Sequence, residues 1–369
     1  MSTLGAHQLR VDATEYADTE ARLRALMTTT LDVILLQGES IIALEAMARG
    51  VGAPSARALN VITSPYGAAI GRWLRAAGGT VEDVDVGLRR GVHLREVEAA
   101  LESTAVDIVS VVHAEAATGA LNPVAEIAER AHAAGALVLV DAVASLGAEP
   151  LAIDAWDLDL TAVSAQKALG GPAGVCAVAI SDRAWSALES NPAAPRDSAL
   201  SLLDWRERWI QAGRKAIPQI PHHLETRALA DALGRVEQEG LAATIARHQS
   251  SRDATRAGLR ALGLEPWVAD DAGAAAVATL VGCPDRLETT GLLAAARAAV
   301  PDAPLELAPG PLAQRALRIS HTGEDARLAP VLAALTALAL GLRARGIDGD
   351  IGATLAAAVN GWQRHACGA

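Results

Sequence analysis

Two segments of this chain place reactive side chains at the ends of apolar runs. In Leu137-Val-Leu-Val-Asp141-Ala-Val143-Ala-Ser-Leu-Gly147 an aliphatic run stops on a carboxylate and continues in small residues. In Thr161-Ala-Val-Ser-Ala-Gln166-Lys167-Ala-Leu-Gly-Gly-Pro-Ala-Gly174 the next such run stops on Gln-Lys and opens into a Gly/Pro loop. An amine and an acid at the same end of neighbouring strands suit one task. The amine forms a Schiff base with an aldehyde, and the acid keeps a pyridine nitrogen protonated so that the ring takes up electrons. Taken singly, Asp141 reads as a strand-end turn former and Lys167 as a solvated loop lysine. Their order and spacing together favour the chemical reading.

Three further segments follow apolar runs in the same way. Val112-His113-Ala-Glu115-Ala-Ala-Thr118-Gly119-Ala-Leu-Asn122-Pro123 offers His113, which could lie against a ring face, and a Thr118-Gly119 turn that lets the backbone come close. Thr63-Ser-Pro-Tyr66-Gly67 opens a helix, and Tyr66, one of two tyrosines in the chain, is available for stacking on a ring. The plainer readings are a structural histidine and a core aromatic. Leu36-Gln-Gly38-Glu39-Ser40-Ile41-Ile42 opens another helix. A helix N-terminus attracts anions, and here a protein carboxylate, Glu39, already occupies it; the plainer reading turns Glu39 to solvent.

These residues need a frame that brings strand ends together. Short aliphatic or β-branched runs read as buried strands at Val33–Leu36, Ala58–Thr63, Ile108–Val112, Ala136–Val140, Leu160–Val163 and Val175–Ile180. Helical spacing lies between them at Ile41–Gly50, Gly67–Ala77, Leu94–Glu102 and Val124–Ala133. Continuous apolar strands alternating with amphipathic helices predict an α/β fold with a mostly parallel sheet covered on both faces. Ligands of such sheets bind at the carboxyl ends of the strands. Beyond Ser181 the texture becomes α+β: a loop at Asn191–Arg196, an extended linker over Arg214–His223, a long helix over His223–His248, weaker strands at Ala275–Val281 and Ala316–Ser320, and a helix over Glu324–Arg345. The division expected is a large domain over 1–225 and a smaller one over 226–369.

Composition narrows the classes. With 51% hydrophobic residues the chain is not disordered. Lys and Arg number 32 against 43 Asp and Glu, a formal charge of −11, which makes a poor binder of nucleic acid or anionic membrane. The three cysteines, Cys176, Cys283 and Cys367, are far apart and show no metal or disulfide spacing, so no metal site is expected. Leu328–Leu342 is shorter than a membrane span and contains Pro330. Met1–Arg10 has no basic stretch followed by an apolar one, and no signal peptide is expected there. The expectation is a cytoplasmic protein acting on small molecules.

The ordered set of strand-end segments resembles the class V aminotransferase family, fold type I, the pyridoxal-phosphate (PLP) enzymes. The likeness runs from about Leu31 to the C-terminus. It implies a large domain with a mostly parallel seven-stranded sheet between helices, a smaller α+β C-terminal domain, and a homodimer or tetramer. It implies Lys167 as the Schiff-base lysine and Asp141 as the partner of the pyridine nitrogen. Tyr66 takes the place of the stacking aromatic, and His113 lies near the ring. Gly38, Glu39, Ser40, Thr118, Val143 and Gln166 surround the cofactor. Arg318, in Ala316-Leu-Arg318-Ile-Ser-His321, resembles the arginine that clamps the substrate carboxylate.

The chain also departs from the family. The phosphate cup usually reads Gly-Ser-Gly-Thr, without a carboxylate at the position of Glu39. The Thr that often reaches the phosphate from the partner subunit aligns near Ile217. A second carboxylate-binding arginine aligns near Pro309, with Arg315 close by. A branch of the family that handles the unphosphorylated vitamin carries Gly-Glu in the cup, and this chain resembles it also in the long string Ser181-Asp-Arg-Ala-Trp185 to Asn191-Pro-Ala-Ala-Pro-Arg196-Asp-Ser-Ala-Leu-Ser201-Leu-Leu-Asp204-Trp205. That likeness implies pyridoxamine as substrate, with pyridoxal held on Lys167, and a small 2-oxo acid such as pyruvate as acceptor. An ordinary PLP aminotransferase of the alanine/serine–glyoxylate or aminophosphonate type is the alternative. A desulfurase needs a mobile-loop cysteine, which neither Cys176 in a strand nor Cys367 in the tail supplies. A non-catalytic binder of a B6 vitamer is the remaining reading, and turnover would dispose of it.

Overall fold

The computed structural model describes residues 10–366; Cys367 and the segment before Arg10 lie outside them. Helix α1 (Ala13–Leu26) leads into alternating strands and helices: β1 (Asp32–Gln37), α2 (Ile41–Val51), β2 (Arg57–Ile62), α3 (Pro65–Ala76), β3 (Thr80–Asp85), α4 (Leu94–Ser103), β4 (Ile108–Val112), α5 (Val124–Ala133), β5 (Leu137–Asp141), β6 (Leu160–Ser164) and β7 (Val175–Ile180). Then come α6 (Asp182–Ser190), α7 (Leu202–Trp205), α8 (His223–Glu239) and α9 (Leu241–Ala261). The last part holds β8 (Ala278–Gly282), α10 (Thr289–Ala299), β9 (Leu305–Leu307), β10 (Ala316–Ser320), α11 (Leu328–Arg343) and α12 (Ile351–Ala366).

The first seven strands form one sheet in the order β1-β7-β6-β5-β4-β2-β3. All neighbours are parallel except β7, which runs against β1 and β6. Every residue of β4, β6 and β7 is buried, as continuous apolar strands covered on both faces require. Parallel pairing puts the ends of β1, β2, β4, β5 and β6 on one edge. The register sets Val112 beside Asp141 and Asp141 beside Ala162, so the acid and the amine that follows β6 lie side by side.

A second, antiparallel sheet has the order β8-β10-β9. Its core gathers Leu317 and Ile319 of β10 with Ala254 and Leu259 of α9 and Val331, Leu335 and Leu338 of α11. The apolar side of α8 (Leu229, Leu233, Val236) packs instead into the core of the large sheet.

Several elements differ from the sequence expectation, three of them with a plain physical cause. Strand β3 was not anticipated: Thr80-Val-Glu-Asp-Val-Asp85 is the sheet edge, polar at every position but the two valines, with its charges in solvent, a common guard against edge pairing. The long helix expected over His223–His248 is two helices, because Gly240 adopts φ 87° and breaks the hydrogen-bonding run. The helix expected from Glu324 starts at Leu328, after a 3-10 turn over Gly323–Asp325. Pro330 then falls in the first helical turn, where its missing N–H costs nothing.

Candidate active site

Lys167 follows β6 in a turn and faces two adjoining hollows that share it and Ala116. The first is lined by Glu39, Ser40, Tyr66, Asp141, Val143 and Lys167, among others. The second, of about 410 Å³, opens toward the small sheet and includes Gln166, Arg318, Glu306, Arg297 and Asp325. Lys167, Asp141, Glu39, Ser40, Tyr66, Val143, Gln166 and Arg318, eight of the residues expected to carry chemistry, therefore line these two adjoining hollows.

Asp141 ends β5 and is buried. Its Oδ1 accepts the N–H of Val143 at 3.0 Å. Burial pushes its carboxyl up to about 6, against the pull of the Val143 N–H and the Lys167 charge. Burial lowers the Lys167 amine below the ordinary lysine range, and the Arg318 charge adds to this. A lowered amine spends more of its time as the free base that can attack an aldehyde.

At the start of α2, Glu39 is open to the first hollow and firmly held. One oxygen accepts Gln166 Nε2 at 2.5 Å and also the Ser40 hydroxyl; the other accepts the Ile41 N–H at 3.0 Å. Partial burial works to raise its pKa, but the hydrogen bonds from Ser40, Ile41 and Gln166 win, and the carboxyl lies below its usual range. Gly38 makes the turn into this cradle at φ 137°, and a Cβ there would meet Ile42 Cγ1 at 2.8 Å. Its N–H donates to the Gly174 carbonyl at 2.8 Å, tying the cradle to the end of the Lys167 loop.

Tyr66 sits in the first turn of α3, behind Pro65 and the Ser64 cap, and is 42% exposed on the wall of the first hollow. His113 and Thr118 are placed differently from expectation. The His113 ring is buried, stands edge-on to Trp156 at 5.6 Å, and lines a separate cleft with Asn122 and Trp156. It does not face the Lys167 space, because alternation along the strand end sends its neighbours Val112 and Ala114 there instead. Burial drives its imidazole down to about 4, and it is neutral. Thr118 is fully buried and donates to the Thr63 carbonyl at 3.3 Å, and Gly119 packs on the Ala278 carbonyl of β8. Both support the site from outside it.

Arg318 on β10 points into the second hollow. Its Nε and Nη2 donate to a single oxygen of Glu306, Oε1, at 3.0 and 2.6 Å, and its Nη1 donates to the Ala116 carbonyl at 3.1 Å. Arg315 does not join it; its guanidinium lies over the Trp267 ring, 5.3 Å from the centroid. Sequence reasoning missed Glu306 and Arg297, which occur in weakly patterned segments. It also assigned nothing to Glu115, which is fully buried, accepts the Thr63 hydroxyl at 2.5 Å, and is pushed up to about 7 by burial. With Asn122, which donates to Thr63 Oγ1 and the Val112 carbonyl, it ties the end of β2 to the end of β4. The signal was in the quoted motif: a carboxylate two residues beyond His113.

The unusual 181–205 string braces the cradle. Asn191 Nδ2 donates to the Gly50 and Gly52 carbonyls at the far end of α2 (2.8 and 2.9 Å). Trp185 Nε1 donates to Asp32 at the start of β1 (3.0 Å). Glu39 thus rides on a helix fixed at both ends. Among the described residues no group of three or more His, Cys, Asp or Glu could hold a metal ion, and no helix is long and apolar enough to cross a membrane.

The chain matches the family model for aminotransferase class V over residues 2–272. It is 32% identical over 327 residues to the pyridoxamine–pyruvate transaminase of Mesorhizobium japonicum, covering 88% of this chain and 82% of that protein. The crystal structure of pyridoxamine–pyruvate aminotransferase from Mesorhizobium loti superposes with a TM-score of 0.89 at 31% identity, over 95% of this chain and 88% of that one. The alanine–glyoxylate aminotransferase of a Nostoc species superposes at 0.81 with 26% identity, over 90% and 87%.

Proposed function

This chain belongs to the class V aminotransferase family, with the fold type I architecture, and we propose that within it the reaction is transfer of an amino group between pyridoxamine and a small 2-oxo acid, pyruvate, giving pyridoxal and L-alanine. The observation that carries this reading is Glu39. The place where the family's cup would seat a phosphate is held by a carboxylate that already takes the Ile41 N–H and the Ser40 and Gln166 side chains. Two like charges about 4 Å apart repel by roughly 4 kcal/mol at the effective dielectric near a protein surface. The other end of the hollow does fit a pyridine aldehyde, with a buried acid at Asp141 and a lowered amine at Lys167.

The vitamer supplies an electron-accepting pyridine ring; the chain supplies everything else. Asp141 holds a proton at the ring nitrogen. Lys167 Nζ, as free amine, would carry a proton between the ring-side carbon and the acceptor's Cα while pyridoxamine and the 2-oxo acid are joined. With pyridoxal present it would instead condense with the aldehyde carbon, releasing water, and an incoming amine would free it again. Glu39 accepts a hydrogen bond from the ring's 5-hydroxymethyl group, Tyr66 covers one ring face, and Arg318 orients the acceptor's carboxylate. A homodimer, as the likeness to the family implies, belongs to this reading.

The test is a titration of the purified chain with pyridoxal and, separately, with PLP, followed by near-ultraviolet and visible absorbance. Saturation with pyridoxal, weak response to PLP, and release of pyridoxal when pyridoxamine and pyruvate are supplied are expected. A chain that purifies carrying PLP and leaves free pyridoxamine untouched overturns the proposal in favour of an ordinary PLP aminotransferase.

A further inference from the structure

Arg318 and Glu306 face each other across the antiparallel pair β9–β10, in direct register. Both side chains therefore emerge on one face of the small sheet, and both line the hollow that opens onto Lys167. The pairing has an uneven geometry. Two donors of Arg318, Nε and Nη2, converge on the single oxygen Oε1 of Glu306. An incoming carboxylate can meet the same edge with two oxygens in two parallel hydrogen bonds, the stronger arrangement. The partners are also anchored unequally. The Arg318 side chain is 19% exposed and its Nη1 is fixed to the Ala116 carbonyl, whereas the Glu306 side chain is 42% exposed on a strand of three residues. Ion pairs open to solvent on one side are weak, so Glu306, the more exposed partner, can turn away from the guanidinium while the arginine stays in place.

We infer that Glu306 is a displaceable counter-ion of Arg318 and a specificity-determining residue, which an acceptor must displace and which selects small monocarboxylic 2-oxo acids over dicarboxylic ones. It covers the guanidinium when no acceptor is bound. When it turns aside it stays within the same hollow, beside Asp325, and these two carboxylates oppose a second carboxylate on the acceptor. Arg297 lines the same hollow but brings one positive charge against these two carboxylates, so it offsets them only in part. This inference rests on the assignment of Arg318 to the acceptor's carboxylate, and not on which B6 vitamer is used.

The variant Glu306→Gln keeps the size of the side chain and one acceptor oxygen but removes the charge. Calorimetric titration of the full-length chain with pyruvate and with 2-oxoglutarate, without vitamer, reads the effect independently of the vitamer assignment. Pyruvate should bind the variant about fivefold or more tighter than the parent chain, with a larger gain for 2-oxoglutarate, so the preference narrows. With pyridoxamine as donor, the effect should fall on KM for the acceptor rather than on kcat. Glu306→Asp, which keeps the charge but withdraws it by one methylene, should lie between the two. Weaker or unchanged pyruvate binding in the Gln variant overturns the inference, since Glu306 would then be orienting Arg318; so does an absence of binding to either chain. Failure of the vitamer assignment shows separately, in the pyridoxal and PLP titrations.

Discussion

Two carboxylates stand at opposite ends of the space around Lys167, and they are built differently. Glu39 sits at the start of α2, a helix braced at its far end by Asn191. It is held by neutral donors only, a hydroxyl, an amide and a backbone N–H, on elements anchored in the large sheet. Glu306 sits on the shortest strand of the small sheet and is held by a cation through one oxygen. The first is a fixed part of the wall, and the second is a tenant. A fixed carboxylate decides what the cavity accepts for good, whereas a paired one decides only what must be exchanged.

The comparison breaks first at Glu39. Glu39→Ser removes the resident charge and restores the hydroxyl-rich cup. The ratio of dissociation constants for pyridoxal and PLP should move toward PLP on the order of a hundredfold, part of the roughly 4 kcal/mol like-charge repulsion near a surface. Unchanged preference would mean that the carboxylate turns away from the ligand. Arg318→Gln sharpens the other end. Loss of a charge-assisted contact of about 1.5–3 kcal/mol should raise KM for the 2-oxo acid on the order of tenfold to a hundredfold, with pyridoxal binding little altered; an equal loss of both would show that the arginine serves the fold.

The smallest effect is on stability. Glu115 is fully buried between the two ends, with its folded pKa raised from 4.5 to about 7. Between those values the folded chain binds more protons than the unfolded one, so its contribution falls as pH rises from about 4 to about 7. Glu115→Gln cannot ionise. It should gain about 1–3 kcal/mol over the parent at pH 8 and little at pH 5, measured by urea unfolding at both pH values. Equal differences at the two pH values would place the titration elsewhere.

The large sheet was legible because a strand buried on both faces has little freedom in its sequence. Asp141 and Lys167 stood out because each interrupts such a run at its carboxyl end. Glu39 was legible as a charge in an unexpected place. What escaped is also physical. β3 escaped because an edge strand alternates and carries charge. Glu306 escaped because its role comes from cross-strand register with Arg318, and nothing local to Leu305–Leu307 encodes that register. His113 was read on residue type, but the face a strand-end side chain takes depends on the pleat, which a motif does not state. The split of α8 from α9 hangs on the backbone of Gly240 alone.

The reversed direction of β7 has a consequence in time rather than in space. Because β7 runs against β6, Lys167 lies in a hairpin whose arms pair Ser164 with Cys176 and Ala162 with Val178. The parallel strands around it must each wait for a distant segment to return. Pairings of low sequence separation close quickly and long-range ones slowly. The hairpin that carries the lysine can therefore close before the parallel strands bring Asp141, Glu39 and Tyr66 to it, and Arg318 joins when the small sheet docks. The loop that seats the nucleophile thus has a short entropic path to closure, whereas every other part of the site waits on segments far away in the chain.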